Sequence, residues 1–289
     1  MVYLTDKLTV AMDLLSLLVA LAFDRIDQSR TSVRLLSTLI ASLCGGWGIP
    51  GVIALVSATF LTHGLLLSLS SLLGGIFGAA VLIVCLGLGE LINGVSEYLT
   101  QRLRGDEQNA CRLASALIGR QACDGGVRLA REMLAGVLVE GHARGVGLLF
   151  WYIFLGPAGA LLAVLMRRVA LPNCMAGNTS PLAGTLYWII DWLPARLSAL
   201  SYGLAGSLTH ALGNWRARAW NWDSPNTVVL VASGTGALLL ETETSGDSLS
   251  TASSEEQDTA VKNALALVTR ALVVWVTAVG LVTLGGWLK

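Results

Sequence analysis

The longest charge-free stretch of the chain runs from Leu35 to Gly89. One helical crossing of a bilayer needs ~20 apolar residues, so this stretch fits two. His63 and Gly64 are the turn-like polar pair in its middle, which places the break near "THGLL" and the crossings near 43–61 and 69–90, with Pro50 starting or kinking the first. A second run, "GVGLLFWYIFLGPAGALLAVLM" at 145–166, lies between Arg144 and the pair Arg167 and Arg168, which can snorkel to the two surfaces. It predicts a third crossing. "ALVVWVTAVGLVTLGGWL" at 271–288, between Arg270 and Lys289, predicts a fourth.

The remaining segments have other periods. "LLSLLVALAF" at 14–23 is short for a crossing; Lys7 and Ala20-Leu21-Ala22 have signal-peptide chemistry, but Asp13 argues for a short first span or an interfacial helix. Met12 is a second candidate start, with Met1 to Ala11 as an extension. Residues 93–143 hold two amphipathic helices, "ACRLASALIG" and "GGVRLAREMLAGVLVE", rich in arginine. The positive-inside rule sends this loop to the cytoplasm together with the basic segment 24–34, and leaves 169–262 on the opposite side unless 182–210 dips into the membrane. "DWLPARLSALSYGLAGSLTHAL" predicts a helix entering at Asp191, with Pro194 in its first turn and Asp191 capping free N–H groups. Arg196 falls about 140° round that helix from Asp191, so a direct pair would need the chain to bend. "ETETSGDSLSTASSEEQD" at 241–258, with six acids and no base, reads as a disordered linker.

The expected fold is an all-α integral membrane protein with about four to five membrane helices plus amphipathic or interfacial helices. Its divisions are a short membrane or interfacial helix and basic segment (1–34), a membrane hairpin (35–92), the arginine-rich loop (93–144), a membrane helix (145–168), an interfacial or re-entrant region (169–240), an acidic disordered linker (241–262) and a C-terminal membrane helix (263–289). Composition agrees: 54% of residues are hydrophobic, 13% charged, and mean hydropathy is +0.67. With a net charge of zero there is no basic field to recruit nucleic acid. The expected partner is the lipid bilayer.

Chemistry is sparse. Cysteines 44, 85, 111, 123 and 174 are widely spaced and read as reduced or buried thiols, and three histidines at 63, 142 and 210 form no metal-ligand pattern. "SGTGALL" at 233–239 follows the strand-like "TVVLVA" but lacks the third glycine of a dinucleotide turn, and no Walker lysine motif exists. "GGIFG" at 74–78 allows close helix contact within the molecule. Glu140 and His142 are an acid and a base near the end of a helix, readable as a proton-transfer pair or as interfacial caps. No catalytic constellation emerges, and no cofactor or metal is expected from these residues.

The ordered segments "LVALAFDRI" (19–26), "RLRGDEQNACRLASALIGR" (102–120), "LFWYIFLGPAGALL" (149–162), "DWLPARLSALSYGLAG" (191–206) and "NWD" (221–223) resemble the family shared by AmpE of the beta-lactamase induction locus and the cobalamin enzyme CbiB, or CobD. CbiB-like enzymes carry E-N-x-S-D-G before the "LFWY" segment. Here Val139-Glu140-Gly141-His142-Ala143-Arg144 stands instead, and "DWLPARL" with "NWD", a polar linker and one last span is similar to AmpE. The resemblance implies a bacterial inner-membrane accessory or sensory protein linked to beta-lactamase induction and cell-wall recycling, with a small-molecule or cell-wall-derived ligand. The alternative it implies is an adenosylcobinamide-phosphate synthase using Mg and ATP. The ligand region expected is the polar band of Gly105, Asp106, Arg120, Glu140, His142, Asp191, Arg196 and Asp223.

Overall fold

The computed structural model describes residues 31–119, 126–170, 181–240 and 253–284. The expected helix at 14–23, the basic residues 24–30, Arg120 and the linker residues 241–252 lie outside them. Among the described residues there is no strand, and the elements are α1 (Thr31–Leu69), α2 (Ser71–Cys85), α3 (Leu88–Leu103), α4 (Glu107–Ile118), α5 (Gly126–Arg144), α6 (Val146–Ala170), α7 (Pro181–Ala205), α8 (Leu208–Ala219), α9 (Asn226–Ala237) and α10 (Ser254–Leu284). Four stretches are long and apolar enough to cross a membrane: Ile49–Leu69, Leu72–Leu103, Gly126–Ala170 and Ser254–Leu281. The chain is an all-α, multi-pass membrane protein.

The break in the first apolar stretch is at Ser70, not at His63 and Gly64. α1 runs through both, because a backbone surrounded by lipid keeps its hydrogen bonds by staying helical. Ser70 is extended (φ −165°, ψ 134°), and α2 returns beside α1 with Gly74 against Leu67. Ile53, Phe60, Leu61, Leu65 and Leu69 are exposed along α1, the face a lipid-embedded helix presents.

The third expected crossing is folded in two. A straight helix would separate Arg144 from Arg167 by ~35 Å at 1.5 Å per residue, yet both guanidiniums hold the Glu140 carboxylate. The reversal is at Gly156, whose φ of 63° and ψ of −150° only glycine adopts readily, followed by Pro157, which lacks an N–H. The two arms touch: a Cβ on Gly159 would collide with the Trp151 carbonyl, and Ala160 shares a core with Leu148, Leu149 and Tyr152. The arms of α6 are ~15 and ~21 Å long. Their turn lies beside His63 of α1 and near Gly78 of α2.

Because α6 doubles back at Gly156, its two ends lie together at one end of the helical bundle. The arginine-rich region and residues 181–270 pack directly on each other: Tyr202 donates to the Leu138 carbonyl at 2.7 Å, Gly234 meets Leu138, and Arg102 pairs with Asp258 at 3.1 Å. The placement of 169–262 opposite that region is therefore corrected for the described residues. A common core joins α3, α4, α5, α7, α9 and the first half of α10 through Leu91, Tyr98, Met133, Leu138, Tyr202, Leu230 and Leu267. Full burial of such a side chain contributes roughly 1.5–3 kcal/mol.

Three further expectations change. α7 starts at Pro181 rather than at Asp191, since proline suits a first turn, and this puts Asp191 and Pro194 mid-helix. "TVVLVASGTGA" is the helix α9, not strand and turn; Gly234 and Gly236 let it approach α5 and α8. The end of the acidic run is helical: Ser253 and Glu256 exchange backbone hydrogen bonds as a capping box, and α10 begins at Ser254. Its Gln257 and Asp258 are buried on Arg102.

Candidate functional site

The polar residues buried between α5, α7 and α9 form one hydrogen-bonded chain. α5 presents His142 and α7 presents Asp191 and Ser198, two turns apart on one helix face. His142 bridges them, with Nε2 2.9 Å from Asp191 Oδ1 and Nδ1 2.7 Å from Ser198 Oγ. A carboxylate only accepts, so Nε2 carries the proton toward Asp191, and in the neutral ring the Ser198 hydroxyl donates to Nδ1. The Asn226 amide at the start of α9 donates to Asp191 Oδ2 at 3.2 Å and to the Trp188 carbonyl at 3.1 Å. Its oxygen accepts from Arg196 at 3.2 Å. Asp191 and Arg196 are thus joined through Asn226, not directly.

Arg196 ends the chain at the surface. Its guanidinium lies 4.0 Å over the Trp192 ring and donates to the Trp192 and Trp222 carbonyls. Trp192 and Trp222 stack with centroids 4.8 Å apart. Burial lowers the Arg196 pKa from its ordinary value.

Asp191, His142 and Ser198 have the order of a hydrolase triad. Ser198 is completely buried, however, so no substrate carbonyl reaches its oxygen in this conformation. The arrangement is a strut pinning α5 to α7.

Glu140, two residues from His142, faces the other way and serves a different cluster. It accepts from Arg144 Nε at 3.0 Å and from Arg167 through a two-pronged contact, Nη1 on Oε2 at 3.2 Å and Nη2 on Oε1. Arg144 also reaches Glu90 at 3.9 Å and the Gly87 carbonyl. Beside Arg167, burial pushes the Tyr187 phenol well above its ordinary range, keeping it neutral.

Of the expected band, the structure brings together His142, Asp191 and Arg196, and sets Glu140 on an adjoining cluster. Gly105 (φ 74°) and Asp106 are elsewhere, in the turn before α4 and a whole helix away from Ile118 at its far end. Asp106 is the cap of α4, accepting from Asn109 N at 3.1 Å and Nδ2 at 2.6 Å; these hydrogen bonds hold its carboxyl below the ordinary range. Asp223 is exposed in the turn at 221–224, next to Trp222. Missed were Ser198, Asn226, Arg144 and Arg167. Ser198 was findable from its i,i+7 spacing to Asp191, and Arg144 from i,i+4 to Glu140; Arg167 and Asn226 join through the tertiary fold alone. Among the described residues, no three His, Cys, Asp or Glu side chains gather as a metal site.

A family model described as "Regulatory signalling modulator protein AmpE" matches residues 12–288. Two curated proteins are similar, both named "Cobalamin biosynthesis protein CobD". The one from Stutzerimonas stutzeri is 31% identical over 207 residues, 67% of this chain and 66% of that protein. The one from Chromobacterium violaceum is 31% identical over 196 residues, 64% of this chain and 61% of that protein. The matched part thus spans less than two thirds of either relative's length. No solved structure gives a significant match.

Proposed function

The chain belongs to the AmpE family, a family of regulatory membrane proteins, and from that premise we propose that it is an accessory or sensory protein of the bacterial inner membrane that modulates beta-lactamase induction in response to a cell-wall-derived or other small ligand. The observation that carries the reading is the commitment of three of the polar band's four acids, the fourth, Asp223, being exposed. Glu140 lies between two guanidiniums, Asp191 between His142 and Asn226, and Asp106 on the end of α4. Glu140 and Asp191, so engaged, hold helices in register, and Asp106 fixes the start of its own helix. They support a protein that changes shape or partners rather than one that turns over substrate.

The alternative, a cobalamin synthase like the two relatives, calls for Mg and ATP. Two of the acids that reading would call on, Glu140 and Asp191, weigh against it, because their oxygens are occupied by intramolecular donors.

The test replaces the gene in its own host and measures beta-lactamase activity after addition of an inducer. Loss or gain of induction, restored by the wild-type gene, is expected; an unchanged response would refute the reading. In parallel, membranes containing the protein are given adenosylcobyric acid, aminopropanol phosphate, Mg and ATP. No product above empty membranes is expected, and product would establish the synthase.

A further inference from the structure

α7 carries an apolar stripe that no described residue covers. Leu182, Leu186, Ile189 and Leu193 are exposed, and at about 100° per residue they fall within about 60° of one another on one side of the helix. The charged residues of α7, Asp191 and Arg196, lie off that line, and Asp191 is buried on the opposite side against His142.

The two flanks of the stripe differ. On one, Ile190 and Tyr187 pack against the core of Val52, Leu161, Leu165 and Met166, which belongs to α1 and the returning arm of α6. Both of those helices are long and apolar enough to cross a membrane. On the other flank, the Arg196 guanidinium lies over the Trp192 ring and Trp192 stacks on exposed Trp222. Membrane helices, then an exposed apolar stripe, then tryptophan and arginine is the order met in passing from the hydrocarbon of a bilayer to its headgroups, where indole rings and snorkelling guanidiniums collect.

The direction of α7 suits the same place. Asp191 and Tyr202 are roughly 16 Å apart along α7, whereas their partners on α5, His142 and Leu138, are only ~6 Å apart. α7 therefore crosses α5 obliquely instead of running beside it, and α5 leads into the inward arm of α6 through the hydrogen bonds of Gly145. A helix set across the end of a membrane bundle lies along the bilayer surface, and an apolar face on it sinks roughly 5–10 Å into the boundary of headgroups and chains.

We propose that the first half of α7 is an interfacial anchor, with Leu182, Leu186, Ile189 and Leu193 in contact with phospholipid chains and Trp192, Trp222 and Arg196 at its headgroup edge. The membrane helices bordering the stripe favour lipid over a second copy of the chain, since the same lipid already surrounds them. Arg196 joins this edge through Asn226 to Asp191 and His142, so the bilayer surface and the buried polar chain meet on one helix.

The test places the photo-crosslinker p-benzoylphenylalanine in full-length protein at Leu186, Ile189 or Leu193, or, as a control, at exposed Glu107 of α4. Each protein is reconstituted in vesicles of phosphatidylethanolamine and phosphatidylglycerol, irradiated and weighed intact by mass spectrometry. The three α7 positions should gain the mass of a phospholipid and Glu107 should not, and because every replaced side chain is exposed, thermal unfolding in detergent should match the unsubstituted protein. A crosslinked dimer in place of the lipid adduct makes a second copy the occupant. A crosslink within the chain makes it another segment of the same molecule, and no adduct at any of the three positions leaves the stripe in water. Each of these results overturns the proposal.

Discussion

His142 accounts for two hydrogen bonds between helices, and each of its partners is buried with it. His142→Ala should therefore lower stability by about 2–4 kcal/mol, since it leaves Asp191 and Ser198 short of a partner, and Ser198→Ala by only about 1 kcal/mol. Thermal unfolding in detergent measures both; a Ser198→Ala protein that loses function at full stability would restore the triad reading. Glu140→Gln leaves two guanidiniums competing for a neutral amide and should cost about 3 kcal/mol, the low end for a broken buried pair. The side chains of Arg144 and Arg167 are 22% and 20% exposed, which moderates the loss. Asp106 gives a pH signature. Its folded-state pKa is depressed below the ordinary 3.8, so its cap is fully stabilising above that value and is lost as pH falls through the folded pKa. Hydrogen exchange at the Asn109 amide should accelerate in that acid window and lose the dependence in Asp106→Asn. The site was partly legible at this scale: local spacing shows Asp191 with Ser198 and Glu140 with Arg144, but nothing local to residue 226 announces an asparagine that joins an acid to an arginine.

At the scale of elements, hydropathy located the apolar stretches and arginine periodicity the amphipathic helices α4 and α5. It could not tell a crossing from a hairpin, because 145–166 has the length and composition of either. The discriminating signal was the dipeptide Gly156-Pro157 in the middle of the run. Gly156→Ala forces a side chain into a backbone region reserved for glycine and should destabilise the protein by roughly 1–3 kcal/mol, read as a lower unfolding temperature. The helix starting at Pro181 was misplaced for the opposite reason: the visible cap chemistry at Asp191 was used in tertiary contacts instead. Ser253→Ala removes half of the α10 capping box and should loosen the start of that helix by about 1 kcal/mol, seen as faster exchange at the Glu256 amide.

For the whole molecule, the hairpin decides topology. Reporter insertions at Gly105 and at Asp223 should give the same signal, and the positive-inside rule makes it cytoplasmic; opposite signals would break the packing of Leu138 with Tyr202 and Gly234 described above. Hydropathy alone hid this because sidedness depends on the parity of crossings, and one misread turn inverts everything after it.

The same hairpin turns within the bilayer's thickness. Its arms, ~15 and ~21 Å long, are each shorter than the ~30 Å hydrocarbon core of a bilayer, so the reversal falls where lipid offers no hydrogen bonds. The turn at Gly156 and Pro157 therefore depends on protein neighbours, His63 of α1 and Gly78 of α2, to cover it, and any loosening of that cover exposes backbone polar groups that lipid cannot satisfy.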